Sequence, residues 1–215
     1  MSMERSSKGL IAIGDHDLAG QLAGIQQEFA RRHPGMNDIP LIGRLPGETS
    51  RLDPSLEGKI RTVKLTIGGK IAQELLAELI ARKGNVGSYA KSMVESSEFT
   101  TLPEPTQIEL AIIEARNLKP GTSYPTTEQI YGCAAEKGLD LLPAEAFLYH
   151  LIQNGDQMEP GERLVAGMKP IADSGGGPRV FYIEHLGRGL WLDGRWAGSS
   201  SEWYPSRRFA FMHRK

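Results

Sequence analysis

The sequence has no apolar run approaching the ~18 residues of a bilayer-spanning helix, which excludes an integral helical membrane protein. It has one cysteine, Cys133, so neither an internal disulfide nor a cysteine-built zinc site is open to it. Near its start the apolar stretch runs only from Leu10 to Ile13 before a glycine and charges, too short for the apolar core of a secretory signal. A cytosolic protein is therefore expected. An excess of one charge is also missing, since 25 Lys+Arg stand against 26 Asp+Glu for a net of −1. That balance is unlike the plainly basic composition of strong nucleic-acid binders. What remains is ordinary globular composition, 40% hydrophobic and 24% charged, in a chain long enough for one domain and a smaller companion.

The balance is uneven along the chain. The last 28 residues hold Arg188, Arg195, Arg207, Arg208, Arg214 and Lys215 against Asp193 and Glu202, a net of +4. With the whole chain at −1, the preceding 187 residues carry −5. All three tryptophans, Trp191, Trp196 and Trp203, fall in the same 28 residues. A basic, aromatic terminus on a mildly acidic body is a candidate binding face. The same residues also fit a β-rich terminus whose tryptophans are core and whose arginines are solvated.

Leu18, Leu22, Ile25 and Phe29 recur at helical spacing and predict a helix over about 15–32, ended by Pro34-Gly35. Pro34, Pro40, Pro46 and Pro54, with Gly35, Gly43, Gly47 and Gly58, make 33–58 a linker or an arm wrapped on the body. From Ile60 to Ile67 a β-branched run predicts a strand, closed by Gly68-Gly69. Ile71, Leu75, Leu76, Leu79 and Ile80 mark a helix stopped at Gly84, and a second helix starts near Ser88. After Pro103-Glu104-Pro105, Ile108–Ile113 reads as a strand. Two helices follow: one capped by Thr126 and ended by Gly138, one with Pro143 in its first turn and Gly155 past its end. Short apolar bursts then predict three or four antiparallel strands, with Asp193-Gly194 as the hairpin turn. The expected fold class is α+β. Residues 1–58 form a helix and Pro/Gly-rich arm, 59–105 a small strand–helix–helix unit, and 106–215 an α+β domain able to fold alone.

Few motifs carry chemistry. Gly68-Gly69-Lys70 sits between a strand and a helix, where free backbone N–H groups hold phosphates, but its spacing matches no nucleotide loop. His16, His33, His150, His185 and His213 form no helical metal pair, so a metal would need His150, His185 and a carboxylate gathered by the fold. Cys133 shares a stripe with Ile130 and Ala134 and reads as core. Asp173–Pro178 reads as a flexible turn rather than a metal or phosphate loop. No cofactor or metal is expected. Glu145, just after Pro143, suits the positive end of a helix dipole, or an ion pair with Arg195 or Arg214.

Several of these residues form a recognisable set. Thr127-Glu128, Ile130-Tyr131, Gly138–Glu145, Met168–Ile171, Asp173-Ser174, Val180-Phe181, Leu190–Leu192, Trp196-Ala197, Trp203 and Arg214-Lys215 together resemble a family of uncharacterised bacterial proteins. Members also carry an element similar to Ser88-Tyr89-Ala90 and Phe99-Thr100. The resemblance covers about 61–215 and implies a bacterial, cytosolic, single-chain protein without an established activity. The chain departs at Leu142, where many relatives carry cysteine, so no thiol at that position serves catalysis here.

The leading expectation is a non-catalytic binding protein that contacts single-stranded nucleic acid through Trp191, Arg195, Trp196, Trp203, Arg207, Arg208 and Arg214. In a strand, neighbours such as Arg207 and Arg208 face opposite ways, so one of them reaches the ligand and the other packs or pairs. The alternative is a protein–protein adaptor or inhibitor anchored by the same Trp and Arg residues. A third reading is an enzyme with a site assembled from Glu145, Tyr149, His150 and His185. No membrane partner is expected.

Overall fold

The structure is a computed structural model, and it describes residues 52–213. The helix expected over 15–32, the arm as far as residue 51, and Arg214 and Lys215 lie outside the described residues.

In chain order the elements are β1 (Arg61–Ile67), α1 (Ala72–Ala81), β2 (Asn85–Val86), α2 (Ser88–Val94) and β3 (Thr106–Glu114). Then come α3 (Ala115–Leu118), α4 (Thr127–Glu136), β4 (Leu139–Asp140) and α5 (Ala146–Asn154). Strands β5 (Arg163–Ala166), β6 (Ile171–Ala172), β7 (Pro178–Leu186), β8 (Gly189–Trp196) and β9 (Arg208–His213) complete the chain. Helices and a mixed sheet make the fold α+β.

Local chemistry accounts for most of these elements. In β1 Leu65 and Ile67 are buried while Thr62, Lys64 and Thr66 are exposed, the two-residue period of a half-buried strand. At the start of α1 the Glu74 carboxylate accepts the Ile71 N–H at 3.0 Å. At the start of α4 Thr126 and Gln129 cap each other, each side chain accepting from the other's backbone N–H. The end of α1 differs from the expected glycine stop. Lys83, at φ 61°, takes the left-handed position, and the Gly84 N–H reaches back to the Leu79 carbonyl at 3.0 Å. Gly84 is needed for another reason, since a Cβ there would lie 2.7 Å from the Leu79 side chain.

One sheet runs β1-β3-β9-β5-β7-β8-β2, with β4 beside β9 and β6 beside β7. The expectation of three or four antiparallel strands is thus corrected: β5 pairs with β9, and β2 with β8, in parallel. The expected hairpin at Asp193-Gly194 is corrected as well. Those residues pair with Tyr182 and Phe181 inside β8, and the turn lies at Gly187-Arg188. A tertiary contact explains it, because a Cβ at residue 194 would sit 2.9 Å from Met93 and Tyr89, so glycine lets α2 approach the strand.

The boundary expected near residue 105 is crossed by the β1–β3 ladder, which pairs Arg61 with Ile112 through Ile67 with Thr106. Residues 59–105 and 106–213 therefore share one sheet and one core. Register assigns the faces. Leu65, Ile67, Leu110, Leu164, Phe181, Ile183 and Leu192 share the face on which α2 packs. Ala111, Ile113, Val165, Phe209 and Phe211 share the other, where Tyr131 of α4 and Trp203 meet the two phenylalanines edge-on. The described end of the arm is docked: Leu56 is fully buried, and the Asp53 carboxylate meets the Lys137 ammonium at 2.9 Å. Among the described residues no helix is long and apolar enough to cross a membrane.

Two outcomes are expected. A fragment from Thr106 to Lys215 loses β1 and leaves Leu110 and Ile112 uncovered, so it should show no cooperative thermal transition, whereas Arg44–Lys215 should. A sharp melt for the shorter fragment would refute the shared core. Lys83→Gly should raise unfolding free energy by roughly 1 kcal/mol in urea titration, because glycine removes the left-handed penalty. An unchanged or lower midpoint would contradict that.

Candidate functional site

The residues proposed from sequence sit in three separate places. The first is buried. Glu145 is fully enclosed at the start of α5, where its Oε1 accepts the Leu102 N–H at 2.9 Å. Its Oε2 meets no donor at hydrogen-bond geometry, although the nearby Gly68 amide also favours the charged form. Burial outweighs both amides and pushes the carboxyl above its ordinary range. Tyr149, one turn on, donates its hydroxyl to the Gly68 carbonyl at 2.6 Å. Gly68 and Gly69 both have positive φ, and a Cβ at residue 68 would overlap the Glu104 carbonyl. The Gly68-Gly69 turn is thus occupied by the protein's own carboxylate and hydroxyl. The ion pair expected between Glu145 and Arg195 is corrected: Glu145 bonds to backbone, and Arg195 lies beside Tyr182.

His150 projects elsewhere from α5. It is 2% exposed, and neither ring nitrogen has a partner among the described residues. Its pKa is lowered to about 4, chiefly by burial and also by the Arg61 charge, with Glu162 acting in the opposite sense. Glu162 is itself buried, paired with Arg61 and, at 3.6 Å, with Arg208. Its Oε2 accepts the Glu159 N–H at 3.2 Å. His185 is spent on structure, its Nδ1 donating to the Met158 carbonyl at 2.8 Å.

The second place is the core. Trp203 is 5% exposed, donates its indole N–H to the Thr127 hydroxyl at 2.9 Å, and packs edge-on against Phe209. It belongs to no outer surface. Trp191 is half-buried, its indole nitrogen enclosed.

The third place is a half-open sheet face centred on Tyr182 of β7. Register puts Tyr182, Glu184, Arg163, Asp193, Trp191 and Arg195 on one side of β5, β7 and β8. The Arg207 guanidinium lies 5.6 Å from the Tyr182 ring centroid and that of Arg195 lies 6.0 Å away. Arg207 also donates to the Tyr182 hydroxyl at 3.4 Å. Arg163 is paired with Glu184. Arg208 turns the other way, to Glu162, as strand alternation requires. Trp196 is also on the opposite face, 52% exposed, near the Asp173–Pro178 turn. That turn is stapled: the Asp173 carboxylate accepts the Gly175 and Gly177 N–H groups and the Arg179 guanidinium. Tyr182 carried no sequence signal beyond being one aromatic in an apolar strand, because its neighbours come from β8 and from the lead into β9.

Beside this face a cleft of about 580 Å³ opens between the leads into β5 and β9. Glu159, Arg163, Tyr204, Ser206, Arg207 and Arg208 line it, with the buried Glu162 among its walls.

The neutral, buried His150 has a pH signature. Its folded pKa lies below its unfolded one, so the unfolded chain takes up the proton first and stability falls as pH drops from about 6.5 to about 4. The loss at pH 4 should be about 3 kcal/mol, partly offset by Glu145, whose raised pKa acts with the opposite sign. His150→Leu should lose less stability than wild type between pH 7 and 4 in urea titrations. Identical pH profiles would exclude His150 as the cause.

No family model, no curated protein and no solved structure matches the chain.

Proposed function

We propose that this is a non-catalytic, cytosolic binding protein that holds single-stranded nucleic acid on the open sheet face around Tyr182. The observation that carries the reading is the Tyr182 ring with the Arg195 and Arg207 guanidiniums within about 6 Å of its centroid. Such a group offers a π surface for bases and N–H donors for phosphates without a sequence code. A near-neutral chain is no obstacle, because the relevant charge is local. Of the seven tail residues first considered, Arg195, Arg207 and Trp191 support the contact. Trp203 is core, Arg208 is engaged by Glu162, and Trp196 faces the other way.

A second reading, a protein–protein adaptor or inhibitor, draws on a different patch. There the Arg179 guanidinium stacks 3.5 Å from the centroid of the half-exposed Tyr89 ring, on the same face as the exposed Trp196. A Trp–Arg–Tyr cluster is the composition of an interface anchor.

Fluorescence anisotropy with labelled DNA and RNA strands of eight nucleotides, at two salt concentrations, tests the first reading. Tyr182→Ala should weaken binding by about 1–3 kcal/mol, the worth of one stacked base. Replacing Arg195 and Arg207 with alanine should flatten the log–log salt slope by about 1.4, two phosphate contacts at ~0.7 each. Arg208→Ala should lower stability and leave the slope alone. Absence of binding at low salt would rule out nucleic acid. A salt-tolerant partner lost with Trp196→Ala would favour the adaptor.

A further inference from the structure

The cleft beside Tyr182 contains charges of both signs, and most of them are already committed. Glu162 is buried against Arg61 and Arg208, Arg163 is held by Glu184, and Arg207 reaches Tyr182. Glu114, on the cleft wall, is paired with Arg116 at 2.7 Å. One lining carboxylate is left over. The Glu159 carboxylate is exposed and meets no partner among the described residues, while its own N–H is anchored on Glu162 at 3.2 Å. Tyr204 also lines the cleft, 62% exposed, its ring steadied edge-on by Tyr124 at 5.6 Å between centroids. The Arg207 N–H donates to the Tyr204 carbonyl at 2.9 Å, so the ring and the guanidinium belong to one turn. The cleft is therefore continuous with the Tyr182 face through Arg207.

Three carboxylates and three arginines line the cleft, so its charges balance and it offers a phosphate no net attraction. A neutral, flat group with hydrogen-bond donors on its edge suits it. We propose, resting on the reading that Tyr182, Arg195 and Arg207 hold a single strand, that the cleft receives one base of that strand against Tyr204 and selects guanine through Glu159. Only guanine carries two adjacent donors on its Watson–Crick edge, N1–H and the N2 amine, which match both oxygens of one carboxylate. Adenine and cytosine set one amine beside a ring acceptor that the carboxylate repels. Uracil and thymine set one N–H between two carbonyls. The neighbouring arginine then takes the phosphate outside the cleft, where Arg207 already points toward Tyr182.

The test uses the full chain and fluorescein-labelled eight-nucleotide RNAs at low salt: all-uridine, and the same strand with one central G, inosine, A or C. The G strand should bind about tenfold tighter than the inosine strand, which lacks only the N2 amine, and than the A, C and all-U strands. Glu159→Gln should abolish that preference while leaving all-U affinity equal or slightly higher. Tyr204→Ala should weaken the G strand more than the all-U strand. Equal binding of the G and inosine strands, or a preference that survives Glu159→Gln, would overturn the guanine site while the all-U affinity still upholds the strand-binding face. No binding of any strand would sink both.

Discussion

Strand β9, last in the chain, is an interior strand, and the rest of the fold closes around it. It pairs antiparallel with β3 on one side and parallel with β5 on the other, with β4 continuing past β5. Phe209, Ala210 and Phe211 are completely buried, which both faces of a central strand require. Gly167 has no Cβ because Phe211 fills that space, and Gly167 in turn gives its N–H to the Ala210 carbonyl at 2.8 Å. Without β9 the sheet divides into a β1–β3 pair and a β5–β7–β8 group. Pairings of such long sequence separation carry a loop-closure cost before they return any stabilisation, so they should slow folding.

The buried charges follow from that closure. Glu162 lies where β1, the lead into β5 and the start of β9 converge, and Arg61 and Arg208 come to it from the first and last strands. Removing both arginines would strand the buried Glu162 carboxylate out of water without a counter-charge, a cost of several kcal/mol. Glu145 does comparable work at the other end of α5, binding the Leu102 amide and facing the Gly68 turn. Of the two, only Glu145 figured in the enzyme reading of the sequence; Glu162 carried no sequence signal. Their surroundings in the fold make them structural: backbone amides around one, paired guanidiniums around the other.

The surface around Tyr182 exists because of the same strand. Arg207 sits one residue before β9, and β9 lies two strands from β7, so its guanidinium crosses β5 to reach the tyrosine. Arg208, one residue on, turns to the opposite face and completes the Glu162 pair. A basic doublet in the sequence thus becomes one outward and one inward contact. The cleft shares its wall residues with both, since the leads into β5 and β9 run side by side where the two strands pair in parallel.

Much of the local structure was legible from residue order alone. The alternation of Ile60–Ile67, the Leu75/Leu79 side of α1 (though Ile71 and Ile80 of the expected stripe are exposed), the Thr126–Gln129 cap and the basic terminal segment each follow from neighbours within about four residues, the reach of turns, caps and side-chain periodicity. Asp193-Gly194 was misleading for the converse reason: the pair suits a tight turn, yet Gly194 is demanded by α2 packing across the strand. The division at residue 105 failed likewise, because Pro103-Glu104-Pro105 interrupts the chain but not the hydrogen bonds that join β1 to β3. Composition and spacing determined the longer helices and strands, though not the short β2, α3 and β4, and that positive charge and tryptophan gather near the end. Only the tertiary structure decided that Trp203 is core, that Arg207 and Arg208 part company, and that Tyr182 stands between two arginines, because each depends on strands distant in sequence becoming neighbours in one sheet.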